Sequence, residues 1–473
     1  MRYLYSLSLV LAFSLQAFSQ QLVSAQFLSN VTKAQLRFLT PAADYDVDAY
    51  KIVYNTTDID GSPTIASGAL MIPVNTTCDQ FPLVSYNHGT VLMREDVPSR
   101  DNGEALIPKL MASVGKVAVC PDYLGLGDNP GLHPYLHAES EATATLDLIR
   151  AAREFINDSL TITLNGEVFI TGYSQGGHAA MATAKYIQDN NLGSEFNIVA
   201  AGPASGPYNL SGTQSETLLS NAPYSNPGYV CYLLFGLNRV YGDLFTTYSD
   251  ILKSPYDQII PPYFDGTYPM DSVNAQLPAR LGDFMQDTVL ANFANAATTK
   301  NHPLWQALIK NDNYDWAPAF PMEMYYCTQD EQVTFGNSLD ADSAMKANGA
   351  TMVSAVNKGS LSHGGCVFPS LDGAIALFES LETPCQFVSL TESYLKEKLQ
   401  MFPNPSLDRV SINGLAEDES VSVELYDLKG RMVKSFQTVK NNDELDVSDL
   451  ISGVYLVRVE NNQVRAVSKF LKL

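Results

Sequence analysis

Glu167-Val-Phe-Ile-Thr-Gly172-Tyr173-Ser174-Gln175-Gly176-Gly177-His178-Ala-Ala180 is the stretch that decides the fold. Val168 to Thr171 is a short apolar, β-branched run of the kind that fills a buried parallel strand. Gly172 and Gly176 remove side-chain bulk where that strand meets the next element. Ala179, Ala180, Met181, Ala182 and Ala184 then favour a helix with a small packing face. Strand, tight turn and helix together make a G-x-S-x-G nucleophile elbow, whose sharp turn lifts the Ser174 hydroxyl clear of the sheet. The helix N-terminus behind it aims amide groups at any negative charge that develops there.

The pattern around this stretch is strand–helix alternation. Upstream, Ala49–Tyr54 and Thr64–Pro73 flank the turn cluster Asp58-Ile-Asp-Gly-Ser-Pro63 and predict an antiparallel hairpin at the sheet edge. Asp58 and Asp60 lack the further spaced oxygen ligands of a calcium loop and read as turn formers. Phe81 to Tyr86 reads as a strand that runs into Asn87-His88-Gly89-Thr90. A helix over Glu104–Val114 precedes a buried strand ending at Cys120-Pro121-Asp122-Tyr123. Gly125 and Gly127 follow that strand, but the wrong spacing of a third glycine and the lack of a following helix argue against a dinucleotide site. A long helix over Glu139–Ile156, the elbow and a strand over Phe196–Ala201 complete the alternation that marks a mostly parallel α/β sheet with helices on both faces.

From about 203 to 320 the composition turns to Tyr, Pro, Phe, Asn and Asp, which reads as a cap inserted into the sheet. Its aromatics are expected mainly in the cap's own core. The sheet resumes at Met322–Cys327. It continues through a helix over Ser338–Ala347, a strand over Ala350–Val356, the loop Gly359-Ser-Leu-Ser-His363-Gly-Gly-Cys366 and a helix over Pro369–Leu381.

Composition bounds the partners. The 473 residues allow two or three domains, and 45% hydrophobic content allows a sizeable core. A net charge of −22 argues against nucleic acid and against docking on anionic lipid through basic patches. Arg2, the apolar Leu4–Leu15 and Ala17-Phe-Ser19 read as a signal peptide over residues 1–19, with cleavage before Gln20. No other run is long enough to be transmembrane, so the mature protein is expected to be soluble and exported. Six cysteines, Cys78, Cys120, Cys231, Cys327, Cys366 and Cys385, are an even set in an exported chain. The sequence does not choose among their pairings, and buried free thiols are the alternative.

An elbow fold orders its catalytic groups as serine, acid, histidine. Of the six histidines, His88, His133 and His137 precede the serine, His178 sits one turn along the elbow helix, and His302 lies in the cap. His363 alone occupies a loop after a strand, where it takes the Ser174 proton and returns it to the leaving group. Asp330 stands just after the preceding strand, with Glu331 as nearest rival and Asp340 and Asp342 on or beside a helix. The backbone amides of Gln175 and Thr90 are the expected oxyanion donors, with Gly89 as the neighbour that permits close approach. This chemistry is complete without a metal or any other cofactor.

Gly-Tyr-Ser174-Gln-Gly-Gly, Pro121-Asp-Tyr-Leu-Gly-Leu-Gly127, Asn87-His-Gly-Thr90 and Thr328-Gln-Asp330-Glu-Gln-Val333 together resemble the secretory lipase branch of the α/β-hydrolases over roughly residues 30 to 395. The resemblance implies a carboxylic ester hydrolase with a large cap and the triad Ser174, Asp330 and His363, acting on a small-molecule, lipid or polymer ester. A serine peptidase or a polysaccharide deacetylase would share that triad. A catalytically dead adhesin or polymer-binding protein would keep the fold without needing all three positions.

After Met401 the chain changes again. Val421–Tyr426, Met432–Thr438, Gly453–Val459 and Val464–Leu471 alternate apolar and polar residues and predict a small all-β sandwich. Phe402-Pro-Asn-Pro405, Tyr426-Asp-Leu-Lys-Gly-Arg431, Ser452-Gly-Val-Tyr-Leu-Val457 and the end Lys469-Phe-Leu-Lys-Leu473 resemble the C-terminal sorting domain of type IX secretion. That implies a Gram-negative bacterium of the Bacteroidetes group, passage through the periplasm to the outside or the outer surface, the type IX machinery as a partner, and removal of this domain. The organisation expected is therefore a signal peptide over 1–19, a catalytic domain over 20–400 and a sorting domain over 401–473.

Overall fold

The structure, a computed structural model, describes residues 20–74, 78, 80–294, 302–383, 400–415, 420–427, 432–460 and 465–473. The signal peptide expected over 1–19 and Cys385 lie outside the described residues. The chain divides into two compact units, 1–385 and 386–473.

The first unit is built on a nine-stranded sheet. Its strands are β1 (Leu22–Val31), β2 (Asp46–Thr57), β3 (Pro63–Val74), β4 (Gln80–Asn87), β5 (Val117–Pro121), β6 (Thr163–Tyr173), β7 (Ile198–Ala204), β8 (Met322–Tyr326) and β9 (Val353–Asn357). Their order is β1-β2-β3-β5-β4-β6-β7-β8-β9. The first three strands and the β3–β5 pair are antiparallel. From β5 through β9 every pairing is parallel. The expected hairpin is β2–β3, but it is not the sheet edge, because β1 pairs outside it.

Alternation along the central strands splits the core into two layers. Leu83, Val117, Val119, Val168 and Ile170 face one side, against Leu146, Leu148 and Ile149 of the helix Ala138–Ser159 and Met181, Ala184 and Ile187 of the helix Gln175–Asp189. Val84, Ala118, Cys120 and Phe169 face the other, against Leu110 and Met111 of the helix Leu106–Ser113 and Leu371, Ala374 and Phe378 of the helix His363–Leu381. That last helix begins earlier than the sequence suggested. His363 is its first residue rather than part of a loop, since Ser362 caps it by accepting from the Gly365 amide, and Pro369 falls inside it.

Chain order places the site. The chain passes from β4 out to β5, then crosses back to β6 on the other side of β4. Such a reversal opens a crevice at the carboxyl ends of the strands. Asn87 ends β4 and His88-Gly89-Thr90 follows it, Ser174 follows β6, Asp330 follows β8 and His363 follows β9, so all reach the same edge of the sheet.

Between β7 and β8 the inserted cap carries helices at Gly228–Tyr241, Leu281–Phe284, Asp287–Ala294 and Pro303–Lys310. It has its own apolar core, including Cys231, Leu234, Phe235, Leu252, Phe284 and Leu308. The named strands of the second unit pair antiparallel in sheets of three and four strands, and one isolated parallel bridge joins Ser406 to Lys472. Val410, Ile412, Val423, Leu425, Val457 and Phe470 fill the core that the two sheets share.

Candidate active site

Ser174 has φ 61° and ψ −120°, a conformation costly for any residue with a side chain. The elbow is held in it from both sides. The Ser174 amide donates to Ala204 O at 3.0 Å, and Ser174 O accepts from the His178 amide at 3.1 Å. Gly176 permits the tight packing, since a Cβ there would lie 1.8 Å from the Asn87 carbonyl oxygen. Gly89 also lies close to the turn, because its Cβ would come 3.9 Å from Ser174 Cβ. Thr90 follows it, with Oγ1 2.7 Å from the Tyr135 hydroxyl. Gln175 opens the elbow helix, so its backbone amide is one of the donors that a helix leaves without an intrahelical acceptor.

Asp330 and His363 meet. His363 Nδ1 lies 2.9 and 2.8 Å from the two Asp330 carboxylate oxygens, and the Asp330 side chain is only 1% exposed. Asp330 Oδ1 also accepts the amides of Gln332 at 3.0 Å and Val333 at 2.9 Å, which fixes the carboxylate as an acceptor. Nδ1 therefore carries the proton and Nε2 is left as an acceptor. Glu331, the rival acid, is engaged differently: it accepts the His363 backbone amide at 3.0 Å. Burial works against its charge, but that amide and others hold its pKa below the ordinary carboxylate value.

Tyr173, the residue before the serine, contacts the histidine. Its ring packs on the His363 imidazole with centroids 5.0 Å apart, and its hydroxyl donates to His363 O at 2.6 Å. No hydrogen bond joins Ser174 Oγ to His363 among the described residues; such bonds often tighten only when substrate binds. A cleft with about 450 Å³ of open space adjoins the serine. Ser174 and Gln175 stand in its wall with Leu136, Leu210, Leu218, Val230 and Leu233 from the loops and the cap. Tyr224 and Tyr229 also line it, so these two cap aromatics face the cleft rather than the cap interior alone.

Sequence reasoning missed the network beneath the elbow. Glu141, fully buried on the long helix, accepts from Gln175 Nε2 at 2.9 Å and lies 2.7 Å from His178 Nδ1. Gln175 Nε2 also lies 2.6 Å from His133 Nε2, while His133 Nδ1 bonds to Leu124 O at 2.7 Å. Burial drives the His133 pKa down to about 3, so this ring is neutral and accepts from Gln175. For His178, burial opposes the charge, but the Glu141 carboxylate outweighs it and the pKa is raised. The overlooked signal was Glu141 itself, a carboxylate on the same helix face as Thr145, Leu148 and Ala152.

A mostly parallel sheet with a strained serine between strand and helix, and an Asp–His pair delivered by two later strands, defines the α/β-hydrolase class. Within it, the chain belongs to the secretory lipase family, whose model matches residues 103–376, and it is a hydrolase of ester bonds. Residues 400–472 match the secretion system C-terminal sorting domain, the tail that marks type IX export in Bacteroidetes. Among solved structures, the chain is similar to LipA of Xanthomonas oryzae, a rice cell wall degrading esterase. The identity is 28% and the TM-score 0.69, over 76% of this chain and 98% of that one. A protein of Legionella pneumophila named as a hydrolase is 27% identical, with TM-score 0.69, over 77% of this chain and 99% of that one. Lipase A of Candida antarctica in its closed state shares the fold at 16% identity and TM-score 0.55, over 78% of this chain and 84% of that one. No curated protein matches the sequence significantly. Among the described residues, no helix is long and apolar enough to cross a membrane.

Proposed function

We propose that the chain is an exported serine carboxylesterase or lipase that works through an acyl-enzyme on Ser174. The observation that carries this reading is the His363 imidazole, held through Nδ1 by Asp330 and packed on Tyr173, the residue next to the serine. His363 Nε2 takes the Ser174 proton as Oγ attacks the ester carbonyl, and the backbone amides of Gln175 and Thr90 hold the resulting oxyanion. Collapse of the intermediate expels the alcohol, which leaves with the proton from Nε2. Water, deprotonated by the same nitrogen, then releases the acid and restores Ser174. Asp330 holds the tautomer and stabilises the imidazolium. Losing one oxyanion donor costs on the order of a hundredfold in rate.

The wall supplied by Leu136, Leu210, Leu218, Val230 and Leu233 favours a hydrocarbon acyl group over acetyl groups on a polar polymer. The wall-degrading activity named for LipA adds plant-wall esters to the substrates worth testing. Residues 1–19 act as the cleaved signal, 20–400 as the catalytic domain and 401–473 as the tail removed after outer-membrane passage.

A p-nitrophenyl ester series from acetate to palmitate, with acetylated xylan and a peptide substrate alongside, tests the reading. Hydrolysis is expected to peak above acetate and to fall by about 10⁴-fold or more in Ser174→Ala. Folded wild-type protein that is inert on every ester contradicts the proposal, and turnover of only acetylated xylan or peptide moves it to the deacetylase or the peptidase.

A further inference from the structure

Two cysteines flank the acid and the base at mirrored distances. Cys327 is three residues before Asp330, and Cys366 is three residues after His363. They form a disulfide, and both are fully buried. Cys327 immediately follows the last residue of β8, Tyr326, whereas Asp330 lies beyond it on a turn outside any strand or helix. Cys366 lies in the first turn of the helix that His363 opens, where its amide bonds to Ser362 O at 3.0 Å. The disulfide thus ties the root of the acid's turn to the helix that carries the base.

The other ties across this junction are softer. The Thr328 amide reaches Gly359 O at 3.0 Å and the Lys358 amide reaches Tyr326 O at 2.8 Å, but these join the turn and the end of β8 to the loop ahead of the helix. To the helix itself run the Asp330–His363 contact and the bond from the His363 amide to Glu331, both part-buried. Hydrogen bonds open and re-form in local fluctuations of the fold, and a covalent link does not.

We infer that the Cys327–Cys366 disulfide is the clasp that keeps Asp330 against His363, so that the site becomes competent only when this pair is oxidised. The inference rests on the roles of Asp330 and His363 proposed above. Two thiols become one S–S bond by exchange with a disulfide-donating oxidant of the exporting compartment. One cysteine thiolate attacks the oxidant's disulfide to give a mixed disulfide, and the other cysteine displaces it. The oxidant leaves as a dithiol that carries the two electrons and two protons. A chain made in a reducing compartment and sorted outward is then idle until it leaves. The free cysteines Cys120 and Cys231 are buried, and burial raises both thiol pKa values, that of Cys231 to about 12, so neither competes as a thiolate.

The test compares wild type with Cys327→Ser/Cys366→Ser by ester kinetics, thermal unfolding and low-field proton NMR of the His363 Nδ1–H. The folded double variant is expected to lose at least about tenfold in kcat, because small misplacements of catalytic groups cost that much, while KM changes less than about twofold. The low-field resonance should vanish or move upfield. A variant that merely melts earlier, with kcat and the resonance unchanged, overturns the clasp. Should the double variant fail to fold, graded thiol on wild type replaces it, with alkylation mapped at each cysteine because Cys78 is also disulfide-bonded. Activity and the resonance should fall in step with alkylation of Cys366 and return on reoxidation; full alkylation without loss overturns the inference. An inert wild type would sink the hydrolase reading alone, since the resonance still decides the clasp.

Discussion

His178 is biased toward its charged form in a place where burial alone would oppose it. Its Nε2 lies 3.0 Å from Asn311 O and its Nδ1 2.7 Å from Glu141, two acceptors for two N–H groups. His133, across Gln175, has the opposite bias. Its pKa is pushed down to about 3 by burial, far below the ordinary value near 6.5. A folded histidine that resists protonation stabilises fully above its unfolded pKa, and that stability drains as pH falls from about 6.5 toward 3. His133→Gln has no ring to titrate. Denaturant unfolding of the two proteins from about pH 7 down to about pH 4 should therefore show the stability gap between wild type and variant narrowing with acid. A gap that stays constant would show that His133 titrates alike in both states. None of this was legible from histidine order along the chain, which only ruled these residues out as the general base. Pairing with Glu141 spans 37 positions, and only the crossing of the long helix over the elbow helix brings the two groups together.

At the scale of elements, the elbow was readable because every local signal agreed: an apolar strand, a small-residue turn and an alanine-rich helix. The structure adds the steric reason for Gly176, a missing Cβ against the Asn87 carbonyl. Gly176→Ala should lower stability by about 3 kcal/mol or more or prevent folding, as overpacking against backbone does. Gly364→Ala, in the first turn of the His363 helix with nothing within 4 Å of the added methyl, should add the helix-propensity gain of about 0.5–1 kcal/mol to stability and raise Tm. Thermal unfolding of both variants checks the pair, and equal effects would contradict the packing account. Strand β1 escaped the sequence reading for a visible reason. Its register slips between Leu22 and Ser24 and again between Phe27 and Ser29, so its exposure does not alternate. The start of the last helix was hidden by Gly364, Gly365 and Pro369, three residues that ordinarily argue against a helix interior.

For the whole molecule, the change of composition near residue 401 marked where one kind of core gives way to another. The three large apolar clusters of the first unit and the cluster built from Val410, Val423, Val457 and Phe470 share no residue. Acidic charge argued against nucleic acid, and the expected order serine, acid, histidine came from the topology that strand–helix alternation implies. The cleft wall was not legible, because loop and cap residues far apart in sequence, such as Leu136, Leu218 and Val333, converge only through the fold. The central claim, that Ser174 is the nucleophile activated by His363, is tested most directly by a fluorophosphonate probe that forms a covalent adduct with an activated serine. Peptide mapping by mass spectrometry should find one adduct per chain, on Ser174, absent from Ser174→Ala and slowed about 10³-fold or more in His363→Ala. An adduct on another residue, or ester hydrolysis that survives in Ser174→Ala, would contradict it.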